Sequence, residues 1–322
     1  MINRLLLQPF GVQKGQEAIT LVVHEFLGAN RDPTAAPKQQ QHGEVGVADD
    51  MRVILAALQS ESIRKSPLLV LLLKVLKVLL RKPSNRKTLG RPGVQVVAAL
   101  MSSACVDTVS CECANVVLNM CYDTGNVQYF LEVGGVETLG PLIRSGNEHL
   151  KASRKSDASG LGALQSVCFD KPGRDATRDS GIIHMVVGLL EDDSAKVRAR
   201  ALGTVHNLST DARSIGIIRK EGGLPRLVRL LRSHEAQVCG GAAGTIQNLS
   251  REEKCRALLL NHFGVVEPLA DLLVGRHVKS QISAAGALVN IVGPDAVGSK
   301  RELLHSVLAD GIVLGVIESC LA

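Results

Sequence analysis

Cys111, Cys113 and Cys121 come closest, in type and spacing, to residues that could do chemistry. Three thiolates so near in sequence would suit zinc. Their segment reads as a helix, however, and residues two apart on a helix point in different directions, so Cys111 and Cys113 do not converge. His184, His206, His234, His262, His277 and His305 show no HExxH or other ligand spacing. No metal site is expected. The glycine-rich run Cys239 to Thr245 lacks the lysine that a phosphate-binding loop needs. Neither a G-x-S-x-G turn nor a dinucleotide-binding fingerprint is present. The chain is therefore expected not to be an enzyme, with no cofactor and no small-molecule substrate.

Charge offers a second kind of chemistry. The net charge is +6. Residues 1–92 hold 14 Lys/Arg against 7 Asp/Glu, whereas residues 181–322 hold 16 against 14. The excess concentrates in Arg81-Lys82, Arg86-Lys87 and Arg91. These could contact phosphate, nucleic acid or an anionic surface. A solvated helix end, with cations near the negative end of the helix dipole, is the simpler account of them, and a nucleic-acid partner is not expected. The run Leu68 to Leu80 is too short and too interrupted, by Lys74 and Lys77, to span a membrane. Pro67 suits its first turn, with Ser66 as the cap. Aromatics are 2% of the chain and Trp is absent, so the core must be Leu, Val, Ile and Ala. The eight cysteines read as reduced, mostly buried thiols of an intracellular protein. The expected location is the cytoplasm, with a nuclear, ciliary or cytoskeletal one left open.

The elements that hold these residues repeat. Gly181-Ile182-Ile183, Gly223-Leu224-Pro225 and Gly264-Val265-Val266 each open an apolar helical face. The glycines stand 42 and 41 residues apart. Each unit closes with an Ala/Gly-rich helical run that ends in Asn and an apolar residue, at Asn207, Asn248 and Asn290. A fixed period of this length marks a helical solenoid. Earlier units open at Gly93, closing at Asn119, and at Gly135, closing at Ser166 instead of Asn. The opening glycine is expected to take positive φ and close the preceding helix. The stretch 146–158, between the second and third helices of the Gly135 unit, reads as an inserted loop. Residues 11–28 read as an atypical first helix and 29–50 as a linker or mobile loop. Residues 51–60 and 67–82 read as two helices of a degenerate repeat spanning 51–92. From Gly311 a partial C-terminal cap is expected. The domain reading is thus 1–50 as cap and linker, and 51–322 as solenoid. Asn207-Leu208-Ser209 and Asn248-Leu249-Ser250 match the glycosylation sequon, but they belong to the packed repeat.

The units resemble armadillo repeats, with residues 210–250 close to a whole family unit and the likeness covering roughly 93–322. The resemblance implies an all-α, right-handed α-solenoid with three helices per repeat of about 42 residues, its third helices lining a concave groove. It also implies a non-enzymatic scaffold that binds an extended segment of a protein partner. Asn119, Asn207, Asn248 and Asn290 would occupy the groove position whose amide bonds a bound peptide backbone, or else would bond a neighbouring helix and hold the curvature. Nuclear-import receptors of the family carry Trp one turn earlier; here those positions are Asn115, Gly203, Gly244 and Gly286. The groove resembles instead the β-catenin-like kind, or that of the vacuolar armadillo adaptors, where charge and shape choose the ligand. Arg198, Arg200 and Arg251, on or beside third helices, favour an acidic or phosphorylated partner. The alternative is a structural component of a cytoskeletal or ciliary assembly, held through its outer faces and the 146–158 insertion.

Overall fold

The structure, a computed structural model, describes residues 13–32, 47–103, 108–144 and 151–292. It is an all-α solenoid, with no strand among the described residues. Contacts divide the chain into two compact units, one ending at Ser180 and one beginning at Gly181. The first holds α1 (Gln13–Ala29), α2 (Val47–Gln59), a single turn Glu61–Arg64, α3 (Leu68–Leu79), α4 (Pro83–Ser103), α5 (Thr108–Met120), α6 (Thr124–Glu132), α7 (Gly135–Arg144), α8 (Lys151–Val167) and α9 (Lys171–Asp179). The second holds α10 (Ile183–Gly188, running into the 3-10 turn Leu189–Glu191), α11 (Ala195–Leu208), α12 (Ala212–Lys220), α13 (Gly223–Leu231), α14 (Ala236–Leu249), α15 (Glu253–His262), α16 (Val266–Leu273) and α17 (Val278–Val292).

A short first helix, a second helix and a longer third helix recur. The third helices are α3, α5 and α8 in one unit, and α11, α14 and α17 in the other. They lie side by side because their inner faces are aliphatic or very small. Leu72, Leu73 and Leu76 of α3, and Ala242, Ala243 and Ile246 of α14, are buried. Removing such apolar area from water is worth roughly 25 cal/mol per Å². A lone repeat has nothing to cover this face, so each one needs its neighbour. No described helix is long and apolar enough to cross a membrane.

Helix boundaries follow local chemistry. The Ser66 hydroxyl accepts the Leu68 N–H at 3.1 Å, capping α3 as expected. Asp123 and Asp211 cap α6 and α12 by accepting from Asn126 N and Ser214 N. The last carbonyls of a third helix would lack partners, and after α3, α5, α8 and α14 a side chain six residues on takes them up. Asn85 donates to Leu79 O, Asn126 to Met120 O, Arg174 to Cys168 O and Arg256 to Ser250 O. These bonds fix the turn into the next first helix.

Several expectations need correction. The left-handed residue closing the first helix is Gly181 or Gly264 where one glycine is present, but it is Gly222, not Gly223, and Gly134, not Gly135. The second glycine of each doublet is there for space: a Cβ on Gly223 would sit 2.8 Å from Ile218 O. In the earliest unit the turn is at Gly90 (φ 52), which breaks α4, and Gly93 lies inside the second half of that helix. The polar stretch read as a loop is helical from Lys151, forming the first turns of α8; residues 145–150 lie outside the described residues. The helix read from residue 51 begins at Val47. The linker residues 33–46 and the partial cap from Gly311 lie outside the described residues.

Candidate partner-binding surface

The third helices give each unit one polar face, and the asparagines sit on it, half-buried. In the second unit Asn290 Nδ2 donates to Gln247 O on the preceding third helix at 2.9 Å. Asn248 Nδ2 donates to Ser209 Oγ at the end of α11, 3.0 Å away. In the first unit Asn119 Nδ2 donates to Lys77 O of α3 at 2.8 Å. Each of these three amides therefore stitches its helix to the one before it through one N–H. An amide has a second N–H and a carbonyl oxygen, and the bond fixes how these are presented. Asn207 holds the same register on α11, half-buried.

The glycines one turn earlier have a packing explanation that sequence reading did not reach. A Cβ on Gly286 would overlap Gln247 Nε2 and lie 2.6 Å from Gln247 Cδ. One on Gly244 would lie 3.2 Å from His206 Cε1. The residues just before Asn207 and Asn248 thus lay their polar side chains across the next third helix, where only glycine leaves room. A signal was available: a polar residue precedes Asn207 and Asn248, and a glycine stands 38 or 39 residues after it. In the first unit the equivalent position is Lys77, whose Nζ pairs with Glu112 Oε2 at 3.2 Å. The Glu112 side chain is only 4% exposed, and Asn115 Nδ2 also donates to it.

The three arginines have different places. Arg198 Nη1 donates to the carbonyls of Asp192 and Asp193, at 2.8 and 2.9 Å. It closes the turn before its own helix, as Gln281 does for α17 by donating to Leu273 O and Gly275 O. Arg200 is half-buried on α11, and Arg251 is exposed beyond the end of α14. Of the basic cluster, Arg81 donates to the carbonyls of Asn30 and Asp32. Arg86 lies 5.5 Å from the Tyr122 ring centroid, and Arg91 lies 4.8 Å from that of Tyr129 and pairs with Glu132. The arginines of that cluster are tied into the chain's own structure, while Lys82 and Lys87 are exposed.

The cysteines lie elsewhere. Cys111, Cys113, Cys121, Cys168, Cys239 and Cys255 are buried. Burial pushes the Cys168 and Cys255 thiols up to about 12, and the Cys121 thiol further in the same direction. They stay protonated, unlike reactive thiols. Among the described residues no three His, Cys, Asp or Glu side chains come together as metal ligands.

Residues 211–251 match the family model of the Armadillo/β-catenin-like repeat. That stretch is one armadillo repeat by its sequence, and the chain has the fold of an armadillo-repeat solenoid. Solved structures with the armadillo fold agree. A designed armadillo repeat protein superposes with a TM-score of 0.66 at 19% identity, over 74% of this chain and 98% of that one. A second, described as in complex with the peptide (KR)4, gives 0.64 at 19%, over 75% and 99%. An engineered protein gives 0.68 at 24%, over 75% and 96%. A search of curated proteins finds no match.

Within this armadillo face, His206 is a titratable group. Burial holds its pKa below the ordinary 6.5. The folded chain therefore takes up a proton less readily than the unfolded one. Stability is present above that ordinary value and is lost as pH falls below it, where the unfolded chain binds the extra proton. His206→Gln, which puts over Gly244 the residue that Gln247 is over Gly286, should reduce this sensitivity. Melting temperatures at about pH 7.5 and 5.5 test it, since the parent should lose more on acidification than the variant. Equal losses would assign the acid sensitivity to other groups.

Proposed function

We propose that this chain is a non-enzymatic scaffold that binds an extended segment of a protein partner along the face of its third helices. The observation that carries the reading is the register of Asn207, Asn248 and Asn290. They recur at one position on α11, α14 and α17, half-buried, and two of them donate one N–H to the preceding helix. An extended backbone offers alternating N–H and C=O groups, and an amide held by one hydrogen can meet both. The glycines at 244 and 286 let His206 and Gln247 pack flat against the next third helix. Designed relatives support the reading, one described as bound to a peptide and others as made for modular peptide recognition. Arg251, exposed beyond the end of α14, favours an acidic segment; Arg198, occupied with its own turn, does not add to that preference.

The test is to select ligands for the wild-type chain from a displayed library of random peptides. Their binding to Asn207→Ala/Asn248→Ala/Asn290→Ala is then measured by fluorescence anisotropy. Each lost amide contact is worth about 1 kcal/mol, so the triple variant should bind about 100-fold more weakly. Unchanged affinity in a variant that still melts cooperatively would reject the groove as the binding face.

A further inference from the structure

The turn from third to first helix carries one triplet twice in the first unit, Cys121-Tyr122-Asp123 and Cys168-Phe169-Asp170. Both cysteines are buried, and the rings that follow them face outward. Tyr122 is 64% exposed and Phe169 is 77% exposed. The chain has only five Phe and two Tyr and builds its core from aliphatic residues, so two solvent-facing rings at equivalent positions are not surplus core material. Between the turns, α6 and α9 border a cleft of about 280 Å³. Its walls include Gly125, Val127 and Gln128 on one side, and Asp170, Lys171 and Pro172 on the other.

The charge of this cleft is set by Asp170. It stands at the start of α9, yet its side chain makes no capping bond. Its charge helps to hold the Cys121 thiol protonated, second to burial, so the carboxylate acts on the first turn. The nearby cations are engaged elsewhere. Lys171 pairs with Asp175 at 2.7 Å, and Arg174 donates to the carbonyls of Cys168 and Phe169. Tyr122 already has the Arg86 guanidinium 5.5 Å from its centroid, an attraction its negative ring face provides.

We propose that the notch between these two turns is a second binding site, which receives a lysine or arginine side chain of a partner protein against Tyr122 and Phe169, with Asp170 as the counter-charge. Two ring faces and a carboxylate are the chemistry that recognises an organic cation. A carboxylate follows each ring directly, at Asp123 and Asp170, and this repels the phosphates of a nucleic acid that would otherwise stack its bases there. The notch lies beyond the third-helix ends of the first unit, so it goes beyond the asparagine face of the second and can fail independently of it.

The absence of Trp makes the test direct. In Tyr129→Phe, which keeps a ring beneath Arg91, Tyr122 is the sole tyrosine reporter. Its emission is followed at low salt while adding end-capped peptides in which Gly alternates with Lys or with Arg. Controls are the same peptide with norleucine in place of the cation, and oligothymidylate. A saturable change with a cationic peptide and none with norleucine is expected. Phe169→Ala and Asp170→Asn should each weaken binding by about 5- to 10-fold, while the triple asparagine variant titrates like the parent. Phe169 is at the surface, so Phe169→Ala should melt like the parent. No saturable change with either cationic peptide, unchanged affinity in both variants, or a response to oligothymidylate instead would overturn the proposal.

Discussion

Gly173→Ala lowers the stability of the first unit by about 3 kcal/mol or more, while the same substitution at Gly216 raises that of the second by about 0.5–1 kcal/mol. Both glycines lie inside first helices, α9 and α12, and neither has positive φ. By helix propensity alone, alanine should help at each. At Gly216 nothing lies within 4 Å of a new Cβ, so propensity decides. At Gly173 the Cβ would overlap the Val167 carbonyl oxygen, with the carbonyl carbon only 2.6 Å away. That obstacle is backbone at the end of α8, which cannot rotate aside as a side-chain tip can. α9 would have to move away from α8, separating the Thr177 hydroxyl from Cys168 Sγ, now 3.3 Å apart. Urea unfolding of the two variants measures both signs. Stabilisation by Gly173→Ala would mean that the two helices are not packed this closely.

Phe130 gives the second large effect. It is fully buried, and truncation of such a ring to alanine costs about 3–5 kcal/mol. Its ring lies on the second glycine of the doublet: a Cβ on Gly135 would be 2.5 Å from Cδ1, Cε1 and Cε2. Gly135→Ala in the parent should therefore cost about 1–3 kcal/mol from overpacking. In a Phe130→Ala background the same methyl enters the space the ring has left, so its cost should largely vanish. The double-mutant cycle is expected to show a favourable coupling above about 1 kcal/mol. Additive losses would show that the ring and the glycine are not in contact.

Much of the fold was legible in the chain because it depends on neighbours in sequence. The Gly-to-Asn spacing, the apolar face of each helix and the Ser66 start of α3 are local patterns of helix period and capping. The doublets were legible only in part. Sequence placed the turn at Gly223 and at Gly135, one residue past the left-handed Gly222 and Gly134. Which glycine turns, and which makes room, depends on where Ile218 and Phe130 sit once the helices have packed. The stretch 146–158 looked like a loop because it is polar. Its residues from Lys151 are helical as the leading turns of α8, whose apolar anchor, from Ala158 to Cys168, follows them.

The candidate sites divide in the same way. Sequence by itself determined that this is a helical repeat protein, and at which positions its polar side chains recur. Tertiary structure decided what those side chains touch. It turned Arg198 back onto its own turn, laid His206 and Gln247 over the glycines of the next helix, tied Asn119, Asn248 and Asn290 to the helix before, and left the rings of Tyr122 and Phe169 exposed. The physical reason is distance along the chain. A helical face is fixed by residues three and four apart, whereas these contacts join residues about 40 apart, and they exist only once the offset and rotation between successive repeats are set.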